Sequence, residues 1–185
     1  MMPEERMLLL EAKKGGTRAF SALVDLYRER VTRLAFNLMG SYEDAEDVAQ
    51  EAFVRAYEAI GRYDVSRPFA PWLYRIVVNL CLDLMRRRKS RPQQTTLVEE
   101  AEHVSDTDSP EDALIREETE AELFAAIQEL PESYRVALVL RYLDDLPYTQ
   151  IAQVLNTSVA NVQMRISRAR QRLRERLRQC GREDA

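Results

Sequence analysis

Three sets of side chains in this 185-residue chain have the types and spacing to do chemistry. Over 43–60, Asp44, Asp47, Gln50, Glu51 and Glu58 recur opposite an apolar stripe, so one face of a helix would be acidic. That face admits three uses: docking a basic partner, holding Mg²⁺, or plain solvation. A Mg²⁺ site needs further carboxylates on a facing helix, and the polar stripe of the next long helix offers only Asp83, which argues against a metal-dependent nucleotide hydrolase. Over 71–88 the polar stripe is Arg75, Asn79, Asp83 and Arg86, with Trp72 and Tyr74 near its start and a basic run, Arg86-Arg87-Arg88-Lys89-Ser90-Arg91, at its end. Cations beside aromatic rings suit single-stranded DNA, where bases stack on rings and phosphates meet arginine, and Asn79 can bond an exposed base edge. The alternatives are core packing for the rings, with Trp72 expected to be buried and Tyr74 partly exposed, and a solvated helix end for the basic run.

The third set lies in 148–172, YTQIAQVLNTSVANVQMRISRARQR. A short helix over 149–155 would bury Ile151, Ala152 and Leu155. Asn156 tolerates the left-handed conformation that ends it, and Ser158 is placed to cap a second helix. The inner face of that second helix holds Val159, Val162, Ile166 and Ala169. Its other faces carry Asn161, Gln163, Met164, Arg165, Ser167 and Arg168. This is a helix-turn-helix pattern, whose second helix enters the major groove of duplex DNA. The arginines beyond it, from Arg170 to Arg178, would meet phosphates. A solvated Arg-rich helix or the end of a coiled coil is the alternative.

The elements that must position these groups are helical throughout. Phe20, Leu23, Val24, Tyr27, Val31, Leu34, Ala35 and Leu38 recur at helical spacing, closed by Gly40-Ser41. The next stripe is Ala45, Val48, Ala49, Ala52, Phe53, Ala56, Tyr57 and Ile60, stopped by Gly61. A third helix starts near Pro71 and buries Leu73, Ile76, Val77, Leu80 and Leu84. Ser109-Pro110-Glu111-Asp112 opens a further helix through Leu114, Phe124, Ile127 and Leu130, and Pro131 separates it from another over 134–143. No strand-like alternation of useful length occurs. The fold class is all-α: two small helical domains, 1–91 and 110–185, joined by an acidic flexible linker, 92–109.

Charge is distributed in the same three parts. The net charge of −4 conceals a basic first part (+3 over 1–91), an acidic middle (−12 over 92–132) and a basic end (+5 over 133–185). The overall acidity therefore does not exclude a nucleic-acid partner. With 45% hydrophobic residues and only 5 Gly and 7 Pro, a low-complexity or wholly disordered chain is excluded. No apolar run approaches the ~18 residues of a membrane span, and 1–6 carries no signal-peptide core, so no direct membrane insertion and a cytoplasmic location are expected. Cys81 and Cys180 lack metal-ligand spacing and have only His103 to join them, so neither a disulfide scaffold nor a zinc site is expected. Cys81 is expected to pack in the bundle and Cys180 to sit on an exposed tail.

Taken together, DAEDVAQEAFVRAY (44–57), PFAPWLYRIVVNLCLDLMRRRKSR (68–91) and LPESYRVALVLRYLDDLPYTQIAQVLNTSVANVQMRISRARQRLRERL (130–177) resemble the extracytoplasmic-function sigma factors of bacterial RNA polymerase. The segments come in the family's order and are separated by its usual tether. The resemblance implies a non-catalytic specificity subunit with no cofactor. Asp47, Gln50 and Glu51 would dock on the core polymerase. The loop over 63–71 and the following helix would capture a flipped base of the melted minus-ten element, with Trp72, Tyr74, Arg75, Asn79, Asp83, Arg86, Arg87 and Arg88 on the DNA side. At the minus-thirty-five element, Gln163, Met164, Ser167 and Arg168 would face base edges, with Arg141, Asn161 and Arg165 near phosphates. Ala160-Asn161 and Gln163-Met164 depart from the family's common residues, which implies a shifted minus-thirty-five preference. The acidic tether would pass the polymerase's RNA-exit region. An anti-sigma factor, membrane-anchored in many relatives, would hold the protein inactive. A stand-alone helix-turn-helix regulator is the rival; it has no need of the acidic face or the 72–79 stripe.

Overall fold

The computed structural model describes residues 3–90, 110–142 and 145–183; the linker expected over 92–109, Arg91 and the side chain of Cys180 lie outside the described residues. Among the described residues there are eight α-helices, one 3-10 turn and no strand. α1 (Pro3–Lys13) is a helix that the periodicity above does not single out; Glu4 and Glu5 in its first turn and Lys13 in its last complement the helix dipole. α2 (Thr17–Met39) ends as expected at Gly40, left-handed at φ 73°, whose N–H donates to the Phe36 carbonyl at 2.8 Å. α3 (Tyr42–Ala59) starts at the expected cap, the Ser41 hydroxyl accepting from the Asp44 N–H at 3.3 Å. A 3-10 turn (Ile60–Arg62) follows.

α4 (Phe69–Ser90) begins two residues before Pro71. The reason is that the first four N–H groups of a helix have no internal partner, so a proline in the first turn costs nothing. α3 buries Ala45, Ala49, Ala52 and Ala56 along one face, and these small side chains let α2 and α4 pack close on either side. Tyr57, expected on that buried stripe, is instead exposed on one side while its ring meets the edge of Phe20 at 5.0 Å.

The second part comprises α5 (Pro110–Gln128), α6 (Glu132–Tyr142), α7 (Tyr148–Val154) and α8 (Val159–Glu183). Its buried residues Val136, Val139, Leu140, Ile151, Val162 and Ile166 belong to the same apolar cluster as the core of α1–α4, so one continuous core runs through both parts. α6 packs on α2, and α7 packs on α4. At this seam Phe36 and Phe124 stack with centroids 5.0 Å apart, and Lys89 pairs with Glu132 at 2.6 Å. No helix among the described residues is long and apolar enough to cross a membrane.

Candidate functional site

On α3, Asp47, Gln50 and Glu51 are exposed on one face, with Glu51 bonded to Arg55 one turn on at 2.7 Å. Asp44 is not part of that face. Its side chain is mostly covered and pairs with Arg88 of α4, tying the start of one helix to the end of the other. Val54, 49% exposed, continues the face one turn beyond Gln50 and Glu51. The spacing 47, 50, 51, 54, 58 would have included it had apolar positions been scanned along with the acids.

The loop between the 3-10 turn and α4 is braced from within. The Asp64 carboxylate accepts from both the N–H (3.0 Å) and the hydroxyl (2.7 Å) of Ser66, and these bonds hold its pKa below the ordinary carboxylate range. The Tyr63 hydroxyl donates to the Arg67 carbonyl. Rings of Tyr63, Phe69 and Trp72 form one cluster, with Tyr63–Trp72 centroids 4.9 Å and Phe69–Trp72 centroids 5.4 Å apart.

The burial expected of the two rings at the start of α4 is reversed. Tyr74 is 1% exposed and lies in the core with Leu73, Val77, Val78 and Cys81, whereas Trp72 is only half-buried. Helical phase is the cause. Positions 72, 75, 79, 83 and 86 share one arc, so Trp72 lines up with exposed Arg75, Asn79, Asp83 and Arg86, and Tyr74 points the opposite way. In the basic run, Arg86 pairs with Asp83 at 2.9 Å, Arg88 with Asp44 and Lys89 with Glu132, while Arg87 is exposed.

The turn between α7 and α8 forms as the residue types require. Asn156 is left-handed at φ 47°; its N–H points to the Gln153 carbonyl at 3.4 Å, and the Thr157 N–H donates to the Ala152 carbonyl at 3.0 Å, which is a Schellman ending. The Ser158 hydroxyl caps α8 by accepting from the Asn161 N–H at 3.2 Å. Ala152 is buried beneath the turn, and Val162, Ile166 and Ala169 face inward from α8. Gln163, Met164, Ser167 and Arg168 are exposed together on the opposite face, and Arg165 is half-buried at its edge. Asn161 is half-buried, its side-chain amide donating to the Thr157 hydroxyl at 2.8 Å, so it also braces the turn. Arg141 lies over the Tyr148 ring at 5.5 Å and donates to the Leu146 carbonyl at 3.3 Å. Among the described residues no group of three or more His, Cys, Asp or Glu is gathered to hold a metal ion.

An exposed acidic helix face, an aromatic and amide stripe behind a braced loop, and a capped helix-turn-helix define a two-part, DNA-directed helical protein. Residues 23–91 match the model of Sigma-70 region 2, and residues 120–173 match that of Sigma-70, region 4. The chain is 38% identical over 185 residues to the ECF RNA polymerase sigma factor SigW of Bacillus subtilis, a match that covers 96% of this chain and 98% of that protein. Among solved structures, CnrH in complex with the cytosolic domain of CnrY is similar at a TM-score of 0.71 and 29% identity, covering 94% of this chain and 97% of that one. The sigma factor RpoE of Bartonella quintana, in complex with the anti-sigma factor NepR, shares the fold at a TM-score of 0.69 and 21% identity, over 88% and 98% of the two chains. The chain belongs to the ECF family of RNA polymerase sigma factors, a non-catalytic family.

Proposed function

We propose that this sigma factor divides its work as its three surfaces divide, with 1–91 docking on core polymerase and taking melted minus-ten DNA, 110–185 reading the minus-thirty-five duplex, and 92–109 tethering them. The observation that carries this reading is the separation of chemistries onto distinct exposed faces. Asp47, Gln50 and Glu51 present carboxylates and an amide on α3, which suits a basic partner surface. Trp72, half-buried against Tyr63 and Phe69, stands beside the braced loop, and exposed Arg75, Asn79 and Arg87 lie on the same helix for base and phosphate contacts. Tyr74, being buried, serves the core and not the DNA.

On α8, Gln163 suits the paired donor and acceptor of adenine, Met164 the methyl of thymine, and Ser167 and Arg168 the bases beyond. Arg141, Arg165 and Asn161 flank them at phosphate positions. Base capture at the loop is affordable because unstacking costs a few kcal/mol, recoverable by pocket contacts. An anti-sigma factor is the further partner of this reading; CnrH, to which this chain is similar, was solved bound to a protein partner, the cytosolic domain of CnrY. The site of action is the cytoplasm.

The test is competition for core polymerase between a labelled housekeeping sigma factor and this protein. Asp47→Arg with Glu51→Arg should raise the competing concentration by more than about tenfold, the scale of two reversed charges at an interface rim. Equal competition by variant and wild type would place the docking surface elsewhere.

A further inference from the structure

α1 lies outside the stretch that matches Sigma-70 region 2, which begins at residue 23. It nevertheless packs on α2 and on the 3-10 turn that leads into the loop over 63–68. Two of its polar side chains reach that loop's supports. The Lys13 ammonium donates to the Tyr63 carbonyl at 2.8 Å, at the point where the backbone leaves the 3-10 turn and its carbonyl loses a helical partner. The Glu5 carboxylate, only 9% exposed, accepts from the buried Tyr27 hydroxyl at 2.7 Å. Tyr27 in turn meets the edge of Phe69 at 5.2 Å, and Phe69 carries Tyr63 and Trp72. The loop is thus held at its first residue by Lys13 and, through the ring cluster at its far end, by Glu5.

We propose that α1 is a positioning element for single-stranded DNA capture, with Lys13 fixing the Tyr63 backbone and thereby the angle at which the loop and Trp72 face the strand. The inference rests on the reading of the loop and α4 given above. A side chain that supports a carbonyl without touching DNA should change the loop's shape and its affinity for the correct strand, and leave polymerase docking alone. Trp72 is the only tryptophan in the chain, so its emission reports that shape directly.

The experiment uses the holoenzyme reconstituted with core polymerase, and a short single-stranded DNA selected from a random pool on the wild-type holoenzyme. Lys13→Met should weaken binding of the selected strand about fivefold, as expected for losing one charge-assisted bond that orders a loop. Its affinity for core polymerase and for a scrambled strand should be unchanged. In the free protein, Trp72 emission should shift to the red and become easier to quench, while Lys13→Arg should keep wild-type binding and emission. Lys14→Met removes the same charge one residue on and separates positioning from general attraction to phosphates. Equal losses in Lys13→Met and Lys14→Met, or a Lys13→Met variant with wild-type binding and emission, would overturn the proposal. Asn79→Ala supplies the remaining distinction: if it binds the selected strand as the wild type does, the reading of the loop and α4 fails. If it loses binding while Lys13→Met does not, only the role of α1 fails.

Discussion

The guanidinium of Arg135, on α6, donates to the carbonyl of Leu38 at the last turn of α2, 2.6 Å away and 97 residues earlier in the chain. The last carbonyls of a helix have no partner within it, and here they are satisfied from the second part of the molecule: Gln128 donates to the Asn37 carbonyl at 2.9 Å, and Arg135 holds Gln128 through its amide oxygen at 2.7 Å. A cation at this end of α2 also complements the helix dipole. Burial lowers the pKa of the Arg135 guanidinium, so its charge is held there by these acceptors and by nearby Glu132.

Arg135→Met is expected to strand those carbonyls beneath an apolar side chain and to loosen α6 from α2. The cost should be about 1–3 kcal/mol, the range for part-buried acceptors that lose a charged donor. Urea unfolding measures it, and a midpoint equal to that of the wild type would show that the contact contributes nothing.

The packed arrangement also bears on how the protein meets a promoter. Elements centred about 25 base pairs apart lie about 85 Å apart along duplex DNA at 3.4 Å per pair. A compact chain of this length is only about 40 Å across. If α4 and α8 take the two elements as proposed, they must move apart on the promoter, which would break the seam at Arg135 and Lys89. Dyes at positions 62 and 178 should show high energy transfer in the free protein and low transfer in the complex with core polymerase and promoter. High transfer in both states would contradict this.

Alkaline stability follows from the core. Burial pushes the Cys81 thiol up to about 12 from an ordinary value of 9.0, and the Tyr63 hydroxyl up to about 12 from 10.0. For both groups the folded state holds its proton more tightly than the unfolded chain. Their contribution is therefore complete below pH 9 and lost as pH rises from about 9 toward 12. Cys81→Ala should flatten the first part of that decline, read as the urea midpoint against pH. In the native protein Cys81 should resist thiol reagents until the chain unfolds. An unaltered alkaline profile in Cys81→Ala would assign the decline to other groups.

On α8, Gln163→Arg should change the base selected at one minus-thirty-five position from adenine toward guanine, because arginine bonds the two acceptors of guanine. Selection of duplexes from a random library by the holoenzyme reads this out. The same selected sequence from variant and wild type would remove Gln163 from the reading set.

How much of this was legible in the sequence depended on how local its physics is. The helix-turn-helix was readable because its turn rests on adjacent residue types: Asn156 takes the left-handed position and Ser158 the cap, and both do so in the structure. The burial of Trp72 and Tyr74 is not legible from residue type, since both are aromatic; helical phase decides which ring faces the core, and it turns Tyr74 inward. Asp44 has the spacing of the acidic face, but its partner, Arg88, is 44 residues away and leaves no local sign in the sequence. The seam at Arg135 and the brace at Lys13 had no signature at all. Each is a side chain meeting a backbone carbonyl far along the chain, and carbonyls carry no residue type.

The most direct test of the account is transcription in vitro with bacterial core polymerase and a promoter selected by the wild-type protein, comparing wild type with Asp47→Arg/Glu51→Arg and with Asn79→Ala. The wild type should give promoter-specific transcripts. They should be lost in the double reversal through failed polymerase binding, and lost in Asn79→Ala with polymerase binding intact. Full transcription from both variants would contradict the assignment of these faces, and sequence-specific DNA binding without any transcription by the wild type would contradict the central claim itself.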